Sequence, residues 1–444
     1  MKKRILFGLV LVFSALTAHA VSWSGTLPVL HIETQNHAPI DSKETYVQAT
    51  YWLDPLNTGA DAIGSADAPL PLQIKGRGNW TWSGFDKKPY RLKLDKKAPL
   101  LGMKSSKHFG LLAHADDTHG FLRNTVGFWL SRHIGMAWTP SQQPVEVVLN
   151  GDYIGLYFLT ELIRVDKDRV NIVEQPDNTT HADSVTGGWL VEIDNYDSDP
   201  HVEITEGDGW RIIFTYKTPE VLSAAQETFL TDEMTRINRL VYGNKDAGTL
   251  WQYIDIESLA RFFIVQELTD NYESFHGSCY LHRDMGAAEK WHFGPVWDFG
   301  SSFNYDKTLP FYEGREHHNT WAPQLAQFPE FQRRVQAVWS AFYYAAYSDI
   351  YAYTADFVKQ IEQAAKNDAE RWQSQGYGNT DLDEDLARVQ DRLRRAAEYM
   401  NKTYGLLPEG INKVQDNATP AARKVLTPDG ELLIIANGKT YRLL

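Results

Sequence analysis

The spacing between apolar residues changes along this chain, and the change limits the folds open to it. In "KKPYRLKLDKK", Tyr90, Leu92 and Leu94 alternate with Arg91, Lys93 and Asp95. That two-residue repeat is the mark of a half-buried strand. From about residue 325 the repeat lengthens to the helical one. "DLDEDLARVQDRLRRAAEYMNKTYG" carries it most strongly. A β-rich half followed by a helix-rich half predicts an α+β chain of two lobes, with the boundary inside 165–220. The cleft between such lobes is the expected ligand site.

The remaining elements follow from local signals. "TLPVLHIETQ" and "DSKETYVQATYWLDP" read as strands, the second ended by Pro55. "PLQIKGRGNWTW" and "KKPYRLKLDKK" form two more strands around a glycine-bearing turn. "DTHGFLRNTVGFWLSRHIG" predicts an amphipathic helix, and "PVEVVLNGDYIGLYFLTELI" a hairpin turning at Asn150-Gly151. "GGWLVEID" is a strand, helices follow near 219–242 and 256–270, and "SCYLHRDMGAAEKWHFGPVWDFG" is a second hairpin. The last segment, "KVLTPDGELLIIANGKTYRLL", predicts a hairpin pair turning at Asp429-Gly430 and Asn437-Gly438. The expected division is a leader at 1–20, one two-lobed domain at 21–415 and a β-hairpin module at 416–444. Within the domain, the β-rich lobe covers about 21–165 and the helix-rich lobe about 220–415.

The first twenty residues predict export. "MKKR" is basic, "ILFGLVLVFSALTA" is apolar, and Ala18-His19-Ala20 fits a small-x-small cleavage site. The mature chain is then expected to begin near Val21 and to lie in a periplasm or outside the cell. No later stretch is long and apolar enough to span a bilayer. Losing Lys2, Lys3 and Arg4 takes the formal charge from −13 to −16. Such a field disfavours a general nucleic-acid binder. The single cysteine, Cys279, has no partner for an internal disulfide and is expected to be a small buried residue.

Several motifs are absent: G-x-x-x-x-G-K-[ST], H-E-x-x-H and G-x-S-x-G. His317-His318 are adjacent, so their side chains diverge, and a surface pair is expected. Two tripeptides invite comparison with protein kinases. His282-Arg283-Asp284 matches the catalytic loop and Asp298-Phe299-Gly300 the metal-binding one. A kinase would need Asn five positions after Asp284, where Glu289 stands. The kinase glycine loop and V-A-I-K strand are missing too. His282-Arg283-Asp284 is therefore expected to be hairpin sequence, and Gly300 incidental. Trp80, Trp82 and Trp297 are expected in the core.

Longer stretches carry a different resemblance. "GRGNWTW", "KKPYRLKL", "LLAHADDTHGFLRN", "VVLNGDYIGLYFLTELIRVDKDRVNI", "ELTDNYESFHGSCYLHRD" and "GPVWDFGSSF" together resemble the CotH family of secreted and spore-coat kinase-like proteins. That resemblance implies an atypical protein kinase-like fold with a β-rich first lobe and a helix-rich second lobe. It also implies ATP, Mg²⁺ or another divalent cation, and transfer to Ser of a secreted or envelope protein. Asp298 matches the family's metal-binding Asp in "WD". Glu273 stands where the family's "N-x-D" carries its catalytic Asp. Lys88 and Lys93 match the phosphate-contacting strand, Arg77 lies in a phosphate-facing turn, and Glu161 falls where the lobes join. The chemistry is coherent, because phosphoryl transfer needs cations around the phosphates and a carboxylate near the acceptor hydroxyl.

Two further readings stand beside it. One is a kinase-like binding module without turnover, motivated by Glu273 and by the scarcity of ATP outside the cytoplasm. The other is a carbohydrate-active protein using paired carboxylates such as Asp194 and Asp197, motivated by export and by 14 Trp.

Overall fold

A computed structural model describes residues 21–56, 58–181, 184–206, 210–246, 248–286, 288–304, 321–375, 381–408, 423–426, 432–436 and 439–442. The expected leader, His317-His318, Asp429-Gly430 and Asn437-Gly438 lie outside them.

The first half is a closed barrel. Its strands are β1 (Val29–Thr34), β2 (Val47–Asp54), β3 (Leu70–Gly76), β4 (Tyr90–Ala98), β5 (Ser106–Leu112), β6 (Gln142–Leu149) and β7 (Asp152–Glu161). A helical turn, α1 (Trp80–Ser83), sits between β3 and β4, and helix α2 (Leu122–His133) between β5 and β6. Around the barrel the order is β1-β2-β3-β4-β5-β7-β6, closed by a parallel pairing of β1 with β6. Alternation sends Ile74, Leu92, Phe109, Val145 and Leu159 inward, where they pack as one core. The Asn150-Gly151 turn has φ of 53° and 80°, as a two-residue hairpin turn requires.

Strand β7 joins the two halves because both of its faces are buried. Tyr157 and Leu159 fill the barrel, while Leu156 and Phe158 face the helical core. A strand covered on both sides loses its alternation, which explains the apolar run "IGLYFL".

The second half contains helices and a five-stranded sheet, so it is less purely helical than the pattern predicted. The sheet is built from β8 (Trp189–Asp194), β9 (His201–Glu206), β10 (Trp210–Thr218), β11 (Cys279–Arg283) and β12 (His292–Phe293). Its order is β12-β11-β8-β10-β9. Helices α3 (Ala224–Tyr242), α4 (Ile256–Leu268), α5 (Ala322–Leu325), α6 (Pro329–Phe342), α7 (Asp349–Trp372) and α8 (Leu382–Tyr404) complete this half. Helix α4 is buried from Leu259 to Leu268 except at Arg261, as suits a helix that is apolar nearly all round. Its start is fixed by Asp255, whose carboxylate accepts the Ser258 N–H at 2.7 Å. Strands β13 (Arg423–Leu426), β14 (Leu432–Ala436) and β15 (Lys439–Arg442) form a separate antiparallel sheet.

A buried ion pair locks the halves together. The Lys87 ammonium, just before β4, lies 2.8 Å from the Asp368 carboxylate on α7 and donates to the Leu156 carbonyl at 2.8 Å. Asp368 also accepts the Leu156 N–H at 2.9 Å. Gly155 is required there: its φ is 107°, and any Cβ would collide with the Asp368 carboxylate. Helix α7 is further fastened to β7 by Arg371, which donates to the Tyr153 carbonyl at 2.8 Å, and by Trp372, which donates to that of Ile154 at 3.1 Å. Cys279 is fully buried, and burial pushes its thiol pKa up.

Candidate functional site

A cavity of about 950 Å³ opens between the barrel and the second sheet. Its ceiling is the outer face of β3 and β4 with the turn between them. Its back wall is the β5–α2 loop and the first turn of α2. Its floor comes from the end of β8, the loop after α4 and the segment following β12.

Asp298 is held at the floor by several independent contacts. Its backbone lies in the left-handed region at φ 54°. Its carbonyl accepts from the Asn271 amide at 3.1 Å, and its Oδ1 accepts from the Gly300 N–H at 3.1 Å. A Cβ at Gly300 would lie 3.0 Å from that same oxygen. The Phe299 N–H donates to the Asn124 Oδ1 of α2 at 3.0 Å. The Phe299 ring is fully buried beside Gly127, where any Cβ would lie closer than 3.0 Å to three ring atoms. Arg123, also on α2, donates to the Ser302 carbonyl at 3.1 Å and to the Asn304 side chain. Helix α2 thus grips the segment from 299 to 304.

Glu273 sits on the turn after α4. Its carbonyl accepts from the Gly277 N–H at 2.9 Å. Asn271, two residues before it, also donates to Gln266 at 2.9 Å, so one buried amide ties this turn to Asp298. Burial raises the Glu273 pKa, and the Asp298 charge raises it further, against a hydrogen bond with Ser301. Asp116 behaves alike. Burial, then Asp117 and more weakly Asp298, push its pKa up, while Arg123 pulls it down. These carboxylates repel one another across one cavity. An oxygen-only set of this kind suits a hard divalent cation, which takes one or two carboxylates and leaves room for phosphates. Among the described residues, no three His, Cys, Asp or Glu side chains gather as a self-sufficient metal cluster.

Arg77 is on the ceiling, with its guanidinium 5.6 Å from the Trp297 ring centre. Burial lowers its pKa, and the Asp298 carboxylate opposes that. The other sequence candidates fall elsewhere. Lys88 does not line the cavity, because its ammonium turns back to the Trp82 carbonyl at 2.6 Å. Lys93 is exposed, 5.7 Å from the Tyr46 ring centre, and also off the wall. Glu161 is buried at the end of β7, away from the cavity, and accepts the Ser141 N–H at 3.0 Å. Asp194 and Asp197 do not act as a pair. Asp194 lines the cavity, whereas Asp197 lies 3.3 Å from Arg211 and is absent from the wall. Arg283 pairs with Glu233 at 2.6 Å, and Asp284 accepts the Val173 N–H at 2.7 Å, so His282-Arg283-Asp284 is structural. Trp80 is not in the core. It is 62 % exposed at the cavity rim.

Sequence reasoning missed Lys75, Arg91, Asp116 and Asn124, which all line the cavity. The outward phase of "YRLKL" and the Asp pair in "HADDTHG" were the available signals.

A family model described as CotH kinase protein matches residues 74–404. This chain belongs to the CotH kinase family. The CotH match starts within β3 and ends with α8, so it takes in the ceiling, back wall and floor of the cavity. No curated protein sequence matches the chain. Among the described residues, no helix is long and apolar enough to cross a membrane.

Proposed function

We propose that this CotH family chain is an exported phosphotransferase with an atypical protein kinase-like two-lobe fold. It transfers the γ-phosphoryl of ATP to Ser of a secreted or envelope protein. One observation carries the reading: Asp298 and Glu273 share the floor of a cavity whose ceiling holds Arg77. Carboxylates facing cations across one cleft match the needs of a metal–nucleotide complex. The order of a glycine-bearing turn, two strands and α2 is compatible with a kinase-like first lobe, but the closed seven-stranded barrel is not a typical kinase lobe. The electrostatics differ, because α2 has no Asp or Glu to pair with a strand lysine.

Asp298, with Asp116 close by, would hold a divalent cation, which would neutralise charge on the phosphates. Arg77 orients the phosphates from above. Glu273 accepts the proton of the acceptor hydroxyl, and its raised pKa brings it nearer the working pH of a base. The new bond joins the Ser oxygen to the γ-phosphorus. The bond to the β–γ bridging oxygen breaks, and ADP leaves with that electron pair. Asn271, Asn124 and Gly127 keep the two carboxylates in register.

The test combines calorimetry of ATP with Mg²⁺ and transfer of labelled γ-phosphate to exported proteins. Asp298→Ala should lose metal-dependent binding. Glu273→Gln should keep binding and lose transfer by roughly 10²–10⁴-fold. Absence of Mg²⁺-dependent ATP binding in the wild type would sink the proposal. The longer side chain at Glu273 favours one other reading, a binding module. Binding without transfer, unchanged in Glu273→Asp, would select it.

A further inference from the structure

The cavity ceiling holds charges that repel one another. Lys75 on β3 and Arg91 on β4 are directly opposed in the antiparallel register. Opposed residues share a face and lie close, and like charges so placed are destabilising. Arg77 lies two residues beyond Lys75, on the same face. Across the other edge of β4, Arg91 opposes Gly110. A Cβ at Gly110 would sit 3.8 Å from the Arg77 side chain and 3.1 Å from Leu162. The Arg77 side chain thus lies over Gly110, beside Arg91, and the Arg91 charge lowers the Arg77 pKa, after the larger effect of burial.

Their countercharges are incomplete. Arg77 has Asp298, and Lys75 has Glu44 nearby and the Tyr46 ring at 5.0 Å. Neither Lys75 nor Arg91 forms an ion pair among the described residues. The Arg91 Nε is buried without a hydrogen-bond partner. Lys75, Arg77 and Arg91 all line the cavity.

We propose that Lys75 and Arg91, with Arg77 beside them, form an oxyanion subsite for a polyphosphate chain. Arginine supplies a planar fork for phosphate oxygens and lysine a point charge. The source of the chain rests on the nucleotide reading above, because free inorganic polyphosphate presents the same oxygens.

The experiment is calorimetry of the full chain with inorganic tripolyphosphate, ATP and adenosine, for the wild type, Lys75→Gln and Arg91→Gln. Denaturant midpoints are measured without ligand. Each variant should lose at least about tenfold in tripolyphosphate affinity, with a weaker dependence on salt. Adenosine should not distinguish the variants from the wild type. Ligand-free Arg91→Gln should be at least as stable as the wild type, because a repulsion is removed. A purely structural arginine would behave oppositely, losing stability and leaving affinity unchanged. Unchanged tripolyphosphate affinity in both variants, or no binding by the wild type, overturns the subsite. ATP binding that needs Asp298 but ignores Lys75 and Arg91 overturns the subsite and leaves the nucleotide reading intact. Tripolyphosphate binding through this pair with no Mg²⁺-dependent ATP binding supports the subsite and removes the nucleotide reading. Should Arg91→Gln fail to fold, Lys75→Gln alone decides.

Discussion

Gly127→Ala tests whether α2 positions Asp298. Two effects oppose each other. Alanine inside a helix gains about 1 kcal/mol over glycine. The added Cβ, however, falls closer than 3.0 Å to three atoms of the buried Phe299 ring. Overpacking of a closed core costs typically 1–3 kcal/mol. A clash with three ring atoms belongs at the upper end, so a net loss of about 2 kcal/mol is expected. The ring cannot move alone, because the Phe299 N–H is bonded to Asn124 and Asp298 precedes it. A shift of about 1 Å at Asp298 would weaken the proposed phosphoryl transfer by roughly 10²-fold. Urea unfolding reads the first effect and Mg²⁺-dependent ATP turnover the second. Adding Phe299→Leu should recover part of both losses, since the smaller side chain vacates the space. Wild-type stability and turnover in Gly127→Ala would refute the argument. So would a double variant whose losses simply add.

Lys87→Met should cost about 3–5 kcal/mol, because it leaves Asp368 buried without its cation. Adding Asp368→Leu should recover part of the loss in thermal unfolding, though the Leu156 N–H then lacks its acceptor. Stability should also depend on pH. Burial, then the Lys87 charge, holds the His114 pKa down at about 3, and burial then Arg123 holds His119 at about 4. Both titrate near 6.5 when unfolded. The unfolded chain therefore binds more protons below pH 6.5. This contribution is complete above that pH and is lost as pH falls towards 4 and below. Asp385 has the opposite sign. Burial raises it to about 6, so its contribution is lost as pH rises through about 4 to 6. His114→Gln should flatten the acid-side loss in urea midpoints between pH 4 and 7, whereas Asp385→Asn should steepen it. Unchanged slopes would contradict these assignments.

Local chemistry was readable where neighbours in sequence decide it. The Asn150-Gly151 hairpin, α2 and α4 all follow from residues within their own span. Barrel closure was not readable, since the β1–β6 pairing joins segments more than a hundred residues apart. Strand β5 escaped notice because "FGLL" is buried on both faces and does not alternate. Strands β9 and β10 were missed because "HVEITE" and "WRIIFTYKT" carry many polar side chains. At the site, motif position placed Asp298, Glu273 and Arg77 on the cavity. It could not choose among the basic residues of one strand. That choice depends on side-chain direction, and Lys88 is turned away by a single carbonyl of Trp82. Trp80 was expected inside because tryptophan is usually buried, but a short turn carries it to the rim.

The contact between Lys87 and Asp368 has a kinetic consequence. One half cannot swing away from the other without stripping a buried charge of its partner and breaking the bonds of α7 to β7. A ligand therefore meets an entrance that already stands open. Its association should be a single exponential whose rate rises linearly with concentration, with no plateau from a slow closing step. Selection among ligands then falls to how well each fits a fixed frame, and to how long it stays.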